Sequence, residues 1–448
     1  MVKMLWKALY PGLGIKRWII IFLLGLIMIM AALMSLLLGV SEVVAPLRRL
    51  LAALISLRGT PLYLFLLLIL GVALAFLAVE RLMNSMTVAL APRSTEKIVD
   101  SLYHVRYLRR GPRIVVIGGG TGMAMLLRGL KEYTSNLTAV VTVADDGGSS
   151  GRLRGELGMP APGDIRSCVV ALADSELLVG RLLQYRFSQG SGLKGHSFGN
   201  LFLGALTQMF GFQEAVKQFG NVLAIRGKVL PVTDQAVSLV ATYDDGSVVK
   251  GESNIGKSVK NISCLELDPS DCRALPEVLE EIAQADAVVV GPGSLYTSLL
   301  PNLLVEGVED AIRRCRGPRF FVCNIMTQQG ETPGFSACRH LQVIDEHVGE
   351  DLFNYCVINS QPVPEHLLEK YKSEGAEQVP VDWQQLQAMK IKVISGNLLG
   401  SGDAAHHDSA AVARLVLTEI VNRSQRPTRW LDQILLDAQL SASGKEKR

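Results

Sequence analysis

The sequence has no Cys-x-x-Cys pair and no histidine at zinc-ligand spacing from its seven cysteines. That excludes a zinc finger or ribbon and a disulfide-stapled secreted framework. It also lacks any Lys/Arg block interleaved with aromatics, and its formal net charge is only +3 over 448 residues. Nucleic acid is therefore not an expected partner. Nothing in the chain marks a haem, flavin or zinc site. The cysteines, at 168, 264, 272, 315, 323, 338 and 356, read as reduced thiols of a cytosolic domain. Cys323, in the run Phe320-Phe321-Val322-Cys323, has the setting of a small buried hydrophobe.

What the chain has in excess is apolar residues, 49% of the total with a mean hydropathy of +0.28, and the excess lies before residue 81. Trp18 to Val40 carries no charge, and Pro61 to Val79 repeats the pattern. At about 1.5 Å per residue each approaches or exceeds the roughly 30 Å of a bilayer core. The expectation is a membrane anchor, 1–81, with two transmembrane helices at 18–40 and 61–79. Lys3, Lys7, Lys16 and Arg17 precede the first run, and Arg81, Arg93, Lys97, Arg106, Arg109 and Arg110 follow the second. Only Arg48, Arg49 and Arg58 lie between, so both ends are expected to face the cytoplasm from the inner (plasma) membrane. Residues 82–112 read as a juxtamembrane linker. Residues 423–448 read as an amphipathic tail, with Trp430, Leu431, Ile434 and Leu435 at helical spacing.

From 113 to 422 short β-branched runs alternate with helical stretches. This pattern predicts a Rossmann-like α/β domain with a largely parallel sheet. The stretch Val237–Glu252, alternating around Asp244-Asp245-Gly246, breaks the rhythm and predicts a β-hairpin insertion. Four apolar runs end in polar or glycine-rich loops. These are Gly118-Gly119-Gly120-Thr121-Gly122, Asp145-Asp146-Gly147-Gly148-Ser149-Ser150-Gly151-Arg152, Gly291-Pro292-Gly293-Ser294 and the loop opened by Asn324. In an open α/β sheet such carboxyl-end loops form the ligand crevice.

Glycines let backbone N–H groups approach an anion, and a helix starting near Thr121 adds unsatisfied donors, so the first loop is a phosphate-site candidate. A dinucleotide fingerprint is the rival, since Asp145-Asp146 fall where a ribose-binding carboxylate would. Met123 replaces the third glycine, however, and the acidic pair runs straight into a second glycine- and serine-rich cradle closed by Arg152. Adjacent carboxylates beside phosphate loops suit Mg²⁺ or a general base. Asp164 is a third candidate acid and also has the position of a helix N-cap. His196 and Asn200, at i and i+4, share a face if a helix begins by His196.

Taken together, the motifs Gly118 to Gly122, Thr142 to Arg154, Pro162 to Arg166, Gly195 to Leu201, Gly291 to Ser298 and Cys323 to Gln328 resemble the bacterial YvcK-type gluconeogenesis factors. This group (UPF0052) is related in fold to the CofD transferases of deazaflavin cofactor synthesis. The resemblance covers roughly 113 to 422. It implies binding of a UDP-sugar or other nucleotide and a role in carbon metabolism, cell shape and envelope growth. An envelope-synthesis protein partner and a homo-oligomer go with that reading. The transferase relatives imply an alternative, in which a phospho-acid group moves from a GDP-linked donor to a deazaflavin acceptor with Mg²⁺. An NAD-dependent dehydrogenase is the third reading. The resemblance maps the donor-phosphate loop to Gly118–Gly122, the acidic centre to Asp145 and Asp146, and further lining residues to Asn200, Gly291, Gly293 and Ser294. It departs at His406-His407, where many such sequences carry Arg-His.

Overall fold

The computed structural model describes residues 15–38, 62–90, 108–173, 178–257 and 260–423. The chain divides into two compact units, 1–104 and 105–448. In the first, helices α1 (Ile15–Leu38) and α2 (Leu62–Leu90) pack together. A Cβ on Gly25 would stand 2.8 Å from the Gly71 carbonyl oxygen, so both positions must be glycine for the backbones to meet this closely. The sequence reading of these helices needs correction. Among the described residues no helix is long and apolar enough to cross a membrane. The two expected transmembrane helices, and the inner-membrane location drawn from them, lose their support. Most of the linker (91–107) and of the tail (424–448) lies outside the described residues.

The second unit is built on seven strands: β1 (Ile114–Gly118), β2 (Leu137–Val141), β3 (Lys228–Pro231), β7 (Ala287–Val290), β8 (Arg319–Val322), β9 (Tyr355–Asn359) and β10 (Lys392–Gly396). Every pairing is parallel, in the order β10-β9-β8-β7-β1-β2-β3. Strands β1, β2, β7 and β9 are buried at every residue. Their unbroken apolar runs, in place of apolar–polar alternation, are what a sheet covered by helices on both faces requires. The chain runs outward from β1 to β3, then returns to β7 on the other side of β1. That reversal puts a crevice at the carboxyl ends of β1 and β7. The predicted hairpin appears as β4 (Ser238–Tyr243) and β5 (Val248–Lys250), joined by β6 (Ile262–Asp268) in a separate antiparallel sheet of order β5-β4-β6.

Six of the seven cysteines are buried free thiols. Cys264, on β6, is exposed.

Candidate functional site

The first loop lies at the strand reversal and is shaped by its neighbours. Helix α3 (Gly120–Leu130) starts one residue earlier than the sequence suggests, and its N-cap, Gly119, has no side chain to cap with. A Cβ on Gly119 would sit 2.4 Å from Asp164 Oδ2, and one on Gly122 would sit 2.6 Å from the Pro292 carbonyl oxygen. Gly120 is left-handed at φ +67. Glycine is thus required because side chains and backbone close in on the loop. From below, buried Asn302 donates to the Gly118 carbonyl at 3.0 Å and to the Ser298 carbonyl at 2.7 Å. Ser298 belongs to a π-helical turn, Leu295–Leu299.

The facing wall is Pro292-Gly293-Ser294. Asn324 fixes it from both sides, accepting from the Gly293 N–H at 3.2 Å and donating to its carbonyl at 2.8 Å. Gln328 Nε2 donates to Ser294 Oγ at 2.9 Å. Between the walls is a cavity of about 350 Å³, lined by Gly119 to Gly122, Pro292 to Ser294, Asn324, Tyr371, His406 and His407 among others. A larger hollow, about 730 Å³, lies at the opposite, amino ends of β1 to β3 and is lined by Arg113 and Lys228. It has no glycine-rich carboxyl-end loop, and a ligand of an open α/β sheet is expected at the other end. Burial pushes the His407 imidazole down to about 4, so it is neutral at physiological pH.

The two adjacent acidic residues accept from different backbone donors. Asp145 accepts from the Gly147 N–H at 2.8 Å. Asp146 instead accepts from the Ser253 N–H at 2.8 Å, tying the end of β2 to the inserted sheet. Among the described residues no three His, Cys, Asp or Glu side chains are placed to hold a metal. Asp145 and Asp146 both act on Glu252, a residue the sequence reading missed, and Asp145 also on Asp164. Glu252 follows the hairpin, and nothing in its local sequence marks it.

Asp164 does not cap its own helix, α5 (Gly163–Leu172), whose N-cap is Pro162. Its carboxylate accepts from the Gly120 N–H at the start of α3. Burial first and the Asp145 charge second push it up to about 6, against the lowering by that hydrogen bond. The free donors expected to take a phosphate are thus partly taken by a carboxylate near its titration point.

In the second cradle, helix α4 (Gly148–Leu157) begins with buried Ser149 and Ser150. Ser149 Oγ lies 3.0 Å from His196 Nδ1 and accepts from Asn200 Nδ2 at 3.1 Å. His196 and Asn200 are therefore brought together, but through Ser149. Helix α6 (Phe198–Phe210) starts after His196, with Ser197 as its N-cap accepting from the Asn200 N–H at 3.2 Å. Arg152 is exposed, and its Nη2 donates to the Lys194 carbonyl at 2.8 Å.

This arrangement has known counterparts. A model of the family described as 2-phospho-L-lactate transferase CofD matches residues 114–399. The chain is 44% identical over 308 residues to the gluconeogenesis factor of Bacillus subtilis (strain 168), covering 68% of this chain and 97% of that one. It is 45% identical over 306 residues to the gluconeogenesis factor of Halalkalibacterium halodurans, covering 68% and 95%. The crystal structure of a UPF0052 family member from Bacillus halodurans superposes with a TM-score of 0.66 at 45% identity, covering 68% of this chain and 99% of that one. The parallel sheet, its reversal at β1 and the six loop motifs are accounted for together: the chain belongs to the CofD family, among the gluconeogenesis-factor proteins.

Proposed function

We propose that the α/β domain is a nucleotide-sugar-binding regulator of carbon metabolism, with a UDP-sugar as its ligand. The observation that carries this reading is the crevice at the strand reversal, walled by Gly119–Gly122 and Pro292–Ser294 and about 350 Å³ in volume. Pockets of small ligands run from about 300 to 1,000 Å³. The backbone donors at the α3 start that Asp164 leaves free suit a diphosphate. Regulation of carbon metabolism is in keeping with relatives named gluconeogenesis factor, and effects on cell shape and envelope growth are part of the proposal. A homo-oligomer and an envelope-synthesis partner belong to the same proposal. Isothermal titration calorimetry of the full chain with UDP-glucose tests it. Micromolar or tighter binding supports the reading, and no binding to any uridine or guanosine diphosphate sugar sinks it.

A second reading, a phospho-group transferase, is favoured by one observation. Asp164, adjoining Gly119 and pushed up to about 6, has the protonation behaviour of a general base at the donor-phosphate loop. Product analysis with a GDP-linked donor and a deazaflavin acceptor separates the two.

A further inference from the structure

Beside the acidic group lies a concentration of positive charge that, among the described residues, makes no contact ion pair. Arg166 is in the first turns of α5, two residues after Asp164. Its Nε is buried without a hydrogen-bond partner, and its Nη2 reaches only Ser167 Oγ, at 3.5 Å, the outer limit of a hydrogen bond. Arg186 is carried toward it by a short pairing of two segments. Phe187 N–H donates to the His196 carbonyl at 3.0 Å, Phe198 N–H to the Tyr185 carbonyl at 2.9 Å, and Arg186 lies opposite Ser197. Arg186 Nη1 donates to the Gly195 carbonyl at 2.9 Å. Among the described residues no carboxylate lies within 4.0 Å of either guanidinium. Burial first and the Arg186 charge second lower the Arg166 pKa, while the charges of Asp164 and Asp145 act in the opposite direction.

The site is shaped for Arg166. A Cβ on Gly199 would stand 2.7 Å from Arg166 Cδ, so glycine there leaves room for the arginine stem. A half-buried guanidinium with a dry, unpaired N–H and a like charge nearby is costly unless something else completes it. The fork of a guanidinium matches a tetrahedral phosphate or a carboxylate in a bidentate way, and two guanidiniums can divide its oxygens between them.

We propose that Arg166 and Arg186 form an oxyanion site, taking a phosphate or carboxylate group next to Asp164 and apart from the glycine loop. The oxyanion comes either from the far end of the crevice ligand or from a separate small anion. This site does not depend on which nucleotide occupies the crevice. If Arg166 were structural, its removal would unfold the packing around Gly199. If it is a receptor, its removal relieves an unpaired cation.

The test is calorimetry of the full chain with inorganic phosphate, on wild type, Arg166→Gln, Arg186→Gln and Arg166→Lys. Phosphate affinity is expected to fall about tenfold or more in each glutamine variant, with only partial recovery in Arg166→Lys, because an ammonium has no fork. The ligand-free melting temperature of Arg166→Gln should be unchanged or higher. A repeat in saturating UDP-glucose distinguishes the sources. Undiminished phosphate binding means a separate anion, whereas displacement by UDP-glucose, with weaker UDP-glucose binding in Arg166→Gln, means the ligand's own group. Phosphate and UDP-glucose affinities that both ignore the glutamine substitutions overturn the proposal, as does a lowered ligand-free melting temperature in both variants. Arg166-dependent phosphate binding without any UDP-glucose binding would overturn the nucleotide reading and leave this site standing.

Discussion

Glu252, beyond the hairpin, is hydrogen-bonded to Asp145 in the loop after β2, so a residue of the insertion joins the acidic group of Asp145 and Asp164. Burial first, then the charge of Asp145, its hydrogen bond, and the charges of Asp164 and Asp146 push the Glu252 carboxyl from its ordinary 4.5 up to about 8. The folded state therefore holds this proton to higher pH than the unfolded chain does. Stability from this source is fully present below about 4.5 and is lost as pH rises through about 8. Asp164, moved from 3.8 to about 6, has the same sign in a lower window. The melting temperature of the ligand-free protein should fall between pH 6 and pH 9, and Glu252→Gln should remove most of that fall. Scanning fluorimetry across this range checks it, and parallel curves for variant and wild type would refute the coupling.

Ser149→Ala should destabilise the protein by about 1–3 kcal/mol, because it strands a buried imidazole nitrogen and a buried amide N–H at once. The partners are His196 Nδ1 at 3.0 Å and Asn200 Nδ2 at 3.1 Å. Urea unfolding measures the loss. A change below about 0.5 kcal/mol would mean that other donors and acceptors fill the gap.

Much of this architecture is legible in the sequence because it follows from local pattern. Unbroken runs such as Val115-Val116-Ile117 and Val288-Val289-Val290 announce strands buried on both faces, and glycine clusters directly after them announce carboxyl-end loops. Ser197 could be read as a helix start from its own neighbours. The rest depends on contacts between residues far apart in the chain. Asp164 looks like a cap for its own helix, but its oxygen serves Gly120, some 40 residues earlier. Asp145 and Asp146 are adjacent in sequence, yet one accepts from the nearby Gly147 N–H and the other from the distant Ser253 N–H. Glu252 carries no signal at all, since only the three-dimensional return of the hairpin brings it to β2. For the N-terminal helices the sequence shows apolar length, but among the described residues no helix is long and apolar enough to cross a membrane.

Gly122→Ala should open the wall of the crevice. The new methyl would meet the Pro292 carbonyl oxygen at 2.6 Å, and a backbone atom cannot yield as a flexible side chain does. Overpacking of this kind costs about 1–3 kcal/mol. UDP-glucose affinity should fall by about tenfold or more. Gly155→Ala on α4 is the control, because a Cβ there meets nothing within 4 Å. It should be neutral or stabilise by up to about 1 kcal/mol through helix propensity. Equal behaviour of the two variants would remove the steric argument for the loop.

The choice between binding and turnover can be made at Asp164. Its carboxylate accepts from the Gly120 N–H, at the helix start proposed to hold a diphosphate, and it titrates at about 6. In a site that only binds, an ionised Asp164 repels the incoming phosphates. UDP-glucose should then bind more tightly as pH falls from 7.5 through 6, and Asp164→Asn should bind several-fold more tightly than wild type at pH 7.5 and lose that pH dependence. In a transferase the same carboxylate accepts a proton in the transition state. Asp164→Asn would then abolish turnover while changing ground-state affinity little, since the lost interaction belongs to the transition state. Calorimetry at pH 6 and 7.5, followed by product analysis with a GDP-linked donor and a deazaflavin acceptor, reads both outcomes on the same two proteins. Tighter binding by the asparagine variant with no product from wild type supports the regulator. Acceptor-dependent release of a guanine nucleotide by wild type, absent in the variant, makes the protein a transferase.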